Sequence, residues 1–301
     1  MTTVVLSQPP GPVTGEQTPA VERGTLARLA RRRMVQIGVG GLGLFVVLAI
    51  AGQLLTVNGI ATGSTAASIF NPPSLQHFMG TDELGRDVLT ELSAGALVSL
   101  IVGIAATAIA VVVGTLVGLL AGFFRGWLEV VLMRFTDAML TVPSLPLIIV
   151  LAAVVGQGLG QIVLVIGLTS WAGMARLIRS EVLSLRERAF VLRARSVGVP
   201  PLRIMRVHLL PQILPLVIAN TVLISAAAIL AEATLSFLGL GDITRPSWGL
   251  MLNNAFKSGA AGRGAFWYVL PPGLCIAILV LSLSFIGHAI NEELSPRRQR
   301  Q

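Results

Sequence analysis

Of 301 residues, 54% are hydrophobic and 12% charged, against the roughly 25% charged residues of a soluble domain, which marks an integral membrane protein. The net charge of +8 would favour nucleic acid in a soluble chain. Here most arginines flank apolar runs, where they orient the chain in a bilayer, so a nucleic-acid partner is set aside.

Residues 1–33 open with a stretch rich in Pro, Thr, Gly and Gln, expected as a flexible cytoplasmic tail. Arg28, Arg31, Arg32 and Arg33 then precede an apolar run over 34–55. A cleaved signal peptide has a core of about 7 to 15 residues nearer the N-terminus, so this run is read as a retained first span. Its Gly38, Gly40 and Gly43 spell GxGxxG but follow arginines instead of a strand, which removes a dinucleotide site. After an external loop over 56–93, a second span is expected at 94–124. There Ala110, Gly114, Gly118 and Gly122 leave one helix face without bulk for a close neighbour. A third span at 128–155 carries Asp137, with Pro143 and Pro146 expected to bend it. A fourth covers 159–178.

A cytoplasmic segment over 179–210 follows, then a fifth span at 210–238 containing Glu232, an external loop at 239–264, a sixth span at 265–290 and a cytoplasmic tail at 292–301. The two external loops are expected to fold as short helices over the outer mouth. The lone cysteine, Cys275, sits in the sixth apolar run and supplies neither a disulfide nor a thiolate metal site. Six spans put both termini on one side. With that side inside, only Arg86, Arg245, Lys257 and Arg263 of 22 basic residues lie outside, as the positive-inside rule requires.

From 176 to 211 eight arginines stand against two glutamates, in a stretch too long for a simple turn. Ser184 and Glu187 fit a capping box starting a helix, and Gly198 followed by Pro200 and Pro201 fits one helix stopping and another beginning. Ala189, Val191, Leu192 and Val197 lie among Arg186, Arg188, Arg193 and Arg195, so apolar and basic surface are offered together. Two readings fit: a contact for a soluble partner, or an amphipathic hairpin lying on anionic lipid.

The run LRARSVGVPPLRIMRVHLLP, Leu192 to Pro211, resembles the cytoplasmic signature loop of ABC importer permeases, in which Glu-Ala-Ala is followed by Gly and then Leu-Pro. Ala194, Gly198, Leu210 and Pro211 match; Leu192 and Arg193 stand where the family has Glu and Ala. HFMGTDELGRDVLTELSAGALVSL (77–100) and EATLSFLGLGDITRPSWGLML (232–252) are similar to segments of the dipeptide, oligopeptide and nickel permeases. The resemblance implies an all-α, six-span polytopic subunit with the type I importer permease fold in a bacterial inner membrane. It implies a sister permease, two cytoplasmic ATPase subunits that carry ATP and Mg, and an external solute-binding protein, with no cofactor in this chain. It places Leu192, Arg193, Ala194, Gly198, Leu210 and Pro211 in the ATPase-coupling loop. The implied cargo is a di- or oligopeptide, with nickel or another small solute as the alternative.

A charge at the bilayer centre costs about 2.5 to 3.5 kcal/mol on insertion scales, so Asp137 and Glu232 must face protein or water. Asp137 stands three residues from Arg134, within pairing reach on a helix, and is read either as a structural ion pair or as pathway lining. Glu232 is left between the same two roles. His208 and His288 are isolated from other ligand types and read as structural; no metal site or catalytic residue is expected. The chain has no GxxxxGK[ST], GxSxG or HExxH, which removes ATP hydrolysis, serine hydrolase and metallopeptidase chemistry. Gly239 to Asp242 spells the GxGD of intramembrane aspartyl proteases, but Asp137 and Asp242 are expected at opposite ends of their spans, about 30 Å apart, too far to share a proton. A scaffold that recruits a soluble protein without transporting anything is the remaining rival.

Overall fold

The computed structural model describes residues 32–57 and 69–294. The expected N-terminal tail up to residue 31, part of the first loop and Arg297, Arg298 and Arg300 lie outside the described residues. Ten helices can be followed among those described: α1 (Arg33–Val57), α2 (Val88–Phe123), α3 (Trp127–Thr141), α4 (Ser144–Val155), α5 (Leu159–Thr169), α6 (Trp171–Leu185), α7 (Ala189–Ser196), α8 (Pro201–Phe237), α9 (Trp248–Lys257) and α10 (Phe266–Leu294). The described residues form no strand beyond an isolated bridge between Thr81 and Asp87. Five helical stretches are long and apolar enough to cross a membrane, and six if α3 and α4 count as one bent span.

The central element is α2. Its 36 residues extend about 54 Å at 1.5 Å per residue, beyond the ~30 Å hydrocarbon core. It starts six residues before the expected span because the Asp87 carboxylate caps it, accepting from the Thr90 amide at 2.9 Å. The small-residue face does what its spacing predicts: α2 and α6 touch backbone to backbone. A Cβ on Gly118 would stand 2.5 Å from the Ala175 carbonyl, and one on Gly122 would stand 2.7 Å from Val182 Cβ. Of the GxGxxG glycines, Gly38 packs against the Ser282 carbonyl of α10, while Gly40 and Gly43 face open space.

The third span bends at its prolines, as expected, with α3 and α4 meeting at 93°. Val142, ahead of a proline, is extended, and Pro143 ends the α3 ladder because it has no N–H to continue it. The fourth span runs on to Leu185. Beyond Ile178 the helix keeps an inward apolar face in Val182 and Leu185, and its other faces turn polar. The capping box at Ser184 and Glu187 is not formed. Ser184 lies in the last turn of α6, α7 begins only at Ala189, and Glu187 pairs with Arg125 at 2.6 Å. Finally, the regular α-helix of the fifth span starts at Leu210 with Pro211 in its first turn, as expected, but it is joined without a break to the hairpin's second helix, so that α8 runs from Pro201. The six residues Ile204–Leu209 form a π-helical turn, in which the Leu210 amide reaches back five residues to Met205. That widened turn absorbs the bond that Pro211 cannot make.

Candidate functional site

The arginine-rich segment folds as a helical hairpin seated on the ends of three spans. Val191 and the nearly buried Ala194 of α7 point inward. They join a cluster with Leu119 and Phe123 of α2, Ile178 and Val182 of α6, and Ile204, Met205 and Leu209 of α8. Gly198, at φ +77°, turns the chain where a side chain would be strained, and Pro201 opens α8. The outward side is both apolar and basic. Leu192 is 49% exposed, Val197 79%, Leu202 72% and Val207 54%. Arg188, Arg193, Arg203 and Arg206 are exposed and have no ion-pair partner among the described residues. Pro200, Leu202, Arg203, Arg206 and Val207 line a shallow groove on this surface.

Of the residues singled out from the signature loop, Leu192, Arg193 and Gly198 are exposed on the hairpin. Ala194 instead fastens α7 from below, and Leu210 and Pro211 belong to α8. The sequence reading missed Leu202, Arg203, Arg206 and Val207. Their spacing of three and four residues was the available signal, since it puts them on neighbouring positions of one helix.

Arginines fasten α6 and the turn that leads from it into the hairpin to their neighbours. The buried Arg186 donates from Nη1 to the Gly122 carbonyl at 2.7 Å, meeting one of the free carbonyls at the end of α2. Arg179 pairs with Glu129 of α3 at 2.5 Å, and Arg125 with Glu187 at 2.6 Å. Asp137 pairs with Arg176 of α6 at 2.5 Å. Arg134, the partner expected from local spacing, is exposed and holds no carboxylate among the described residues. The interhelical partner lies closer than the one on Asp137's own helix, a pairing across 39 positions that local spacing does not reveal.

Glu232 is buried between α8 and α2. Ser236 donates to one of its carboxylate oxygens at 2.7 Å and Ser99 to the other at 3.3 Å. Each oxygen therefore has a hydroxyl donor, one from the next turn and one from across the interface. Asp242 serves a different purpose: it accepts from the Leu159 amide at the start of α5 at 3.2 Å and from the Thr244 amide and hydroxyl at 2.8 and 2.6 Å. Burial pushes its pKa up, but the Thr244 and Leu159 hydrogen bonds and the Arg245 charge outweigh it and hold the carboxyl below its ordinary value. Asp137 meets residue 176 and Asp242 meets residue 159 of one helical stretch, a separation on the order of 25 Å. The two carboxyls therefore form no protease dyad.

At the end opposite the hairpin, the loop before α2 is tied down by a buried carboxylate. Asp82 accepts from the Leu84 and Arg86 amides and pairs with the Arg86 guanidinium at 2.7 Å, and Arg86 also reaches Glu91 at 2.7 Å. Trp248 of α9 donates to the Leu92 carbonyl at 2.8 Å, so α9 lies against the start of α2; the 239–264 loop thus holds a short helix, as expected, whereas the described part of the first loop, 69–87, holds none.

Residues 114–300 match the family model described as the binding-protein-dependent transport system inner membrane component. The chain belongs to this family. The match takes in α3 to α10, the hairpin included. Among relatives of this permease is the dipeptide transport system permease protein DppC of Bacillus subtilis, 34% identical over 275 residues, 91% of this chain and 85% of that one. Another is the DppC of Alkalihalophilus pseudofirmus, 34% identical over 293 residues, 96% of this chain and 95% of that one. The permease is thus a multi-pass membrane protein related over nearly its whole length to dipeptide transport subunits.

Proposed function

We propose that the chain is one permease subunit of an ATP-driven peptide importer in a bacterial inner membrane, with the hairpin and both termini on the cytoplasmic side. A sister permease completes the pathway, two ATPase subunits dock below, and an external solute-binding protein delivers a di- or oligopeptide. The observation that carries this reading is the hairpin: four exposed apolar side chains and four unpaired arginines spread over α7, its flanking turns and the start of α8, with the inner face of α7 fastened to α2, α6 and α8. Motion imposed on α7 passes to the spans because Val191 packs against their ends, and the pathway follows whichever of two states the ATPase favours. The names of the two relatives support the peptide cargo.

Leu202 is an exposed apolar side chain in the hairpin groove, so a charge there opposes docking while leaving the buried cluster intact. In proteoliposomes holding the assembled importer, Leu202→Asp should cut ATP-dependent dipeptide uptake by about thirtyfold, the scale of a lost interface hot spot. Uptake at the wild-type rate, with the ATPase still bound, would remove the hairpin from the coupling path.

A further inference from the structure

Six buried side-chain polar atoms have no hydrogen-bond partner among the described residues, and three of them gather at the end opposite the hairpin. They are Oε2 of Glu83 in the loop before α2, Oε2 of Glu91 in the first turn of α2, and the hydroxyl of Tyr268 in the first turn of α10. Tyr268 is wholly buried, and its hydroxyl faces Glu83, with Glu91 and Asp82 close by. Charge falls short at the same place. Asp82, Glu83 and Glu91 share a single guanidinium: Arg86 reaches Asp82 and Glu91 at 2.7 Å and Glu83 only at 3.9 Å. Asp82 is fully served, since its other oxygen takes the Leu84 and Arg86 amides. Among the described residues no further cation enters the cluster. His77 is held by Asp87 at 3.0 Å, Arg263 lies over the Phe70 ring, and α1 has no charged residue past Arg33. Lys257 of α9 is exposed on the wall of a neighbouring cavity of about 640 Å³. Arg86 borders that cavity too, so solvent reaches the edge of the cluster while the three orphaned atoms stay dry.

We propose that Glu91 holds a proton that locks the loop before α2 to the first turns of α2 and α10, and that losing this proton loosens that end of the molecule. One proton serves all three atoms. Placed on Glu91 Oε2 it makes a donor for the Tyr268 oxygen, and the Tyr268 hydroxyl in turn donates to Glu83 Oε2. Three carboxylates against one guanidinium leave two negative charges in excess, and the proton removes one of them. A carboxyl buried without donors takes up a proton instead of staying charged, and each orphaned atom that gains a partner is relieved of its desolvation cost. Glu91 is the acceptor of choice because its side chain is 12% exposed against 20% for Glu83. The proton comes from water and returns to it, so the junction tightens as pH falls and opens as pH rises. In the orientation proposed above, this end meets the external medium; the lock itself depends only on the cluster.

Two measurements on the purified full-length chain test this. The first is the infrared carbonyl stretch of a carboxylic acid, which a carboxylate lacks. At about pH 6, above the ordinary carboxyl value near 4, the difference spectrum between wild type and Glu91→Gln should contain this band, separated from the contribution of Glu232, the other buried carboxyl. The second is maleimide labelling of Met79→Cys in a Cys275→Ser background, since Met79 is half-buried in the loop. Glutamine keeps the shape and a donor but cannot ionise. As pH is raised through the range where the band disappears, the chain with Glu91 should come to label at least about threefold faster than its Glu91→Gln counterpart at the same pH. Tyr268→Phe removes one oxygen from a buried ring and tests the lock even where Glu91→Gln disturbs folding; at about pH 6 it should already label at least about threefold faster than the chain with Tyr268. A difference spectrum without the acid band at pH 6 overturns the proposal. So does a band that survives to about pH 9, which would make the proton permanent, and so does labelling that stays equal in all three chains while the band is lost.

Discussion

Arg186 and Asp242 each sit at a helix end and satisfy backbone groups that the helix itself leaves open. Arg186 does so at the carbonyl end of α2 and Asp242 at the amide end of α5, matching positive charge to the negative end and negative charge to the positive end. The consequence for Asp242 can be measured. Its folded pKa lies below the unfolded value, so its stabilisation is full above the unfolded value, near 4, and is lost as pH falls through the folded one. Asp242→Asn should therefore lower the thermal midpoint of the purified subunit at about pH 6, and the gap should begin to narrow at about pH 4 and close only once the pH has fallen through the folded value. An unchanging gap would mean that the Asp242 charge is not what stabilises this end of α5. Neither role was legible in the sequence, because each joins residues more than sixty positions apart.

Among elements, the seam between α2 and α6 carries the close packing of the molecule, and its cause was legible: a four-residue repeat of small residues has no other helical consequence. Gly118→Leu should cost about 1–3 kcal/mol through overpacking, because any Cβ there meets the Ala175 carbonyl. Gly40→Leu, on an open face of α1, should leave the thermal midpoint in detergent unchanged. Equal midpoints for the two variants would mean the seam can open. The bend between α3 and α4 was legible in Pro143, though its 93° angle was not, since a proline breaks a ladder without choosing the new direction. The extension of α6 to Leu185, and the continuity of the hairpin's second helix, expected to begin at Pro201, with the fifth span, escaped a reading based on hydropathy. There the helices leave the apolar zone and keep only one apolar face, and at Pro211 a π-turn carries the helix past a residue that ordinarily ends one.

For the whole molecule, two ends differ in kind. One presents a basic and apolar hairpin without a partner; the other presents a tied loop, a short helix and a mixed-charge cavity. Helices α2, α5 with α6, and α8 run between them, so a displacement at one end has a packed route to the other. Everything proposed for transport follows from which end faces the cytoplasm, and one labelling measurement decides it. Ser196 is exposed at the end of α7. In a Cys275→Ser background, Ser196→Cys should react with a membrane-impermeant maleimide in inside-out vesicles and stay unlabelled in intact cells. Labelling of intact cells would put the hairpin outside and contradict coupling to a cytoplasmic ATPase.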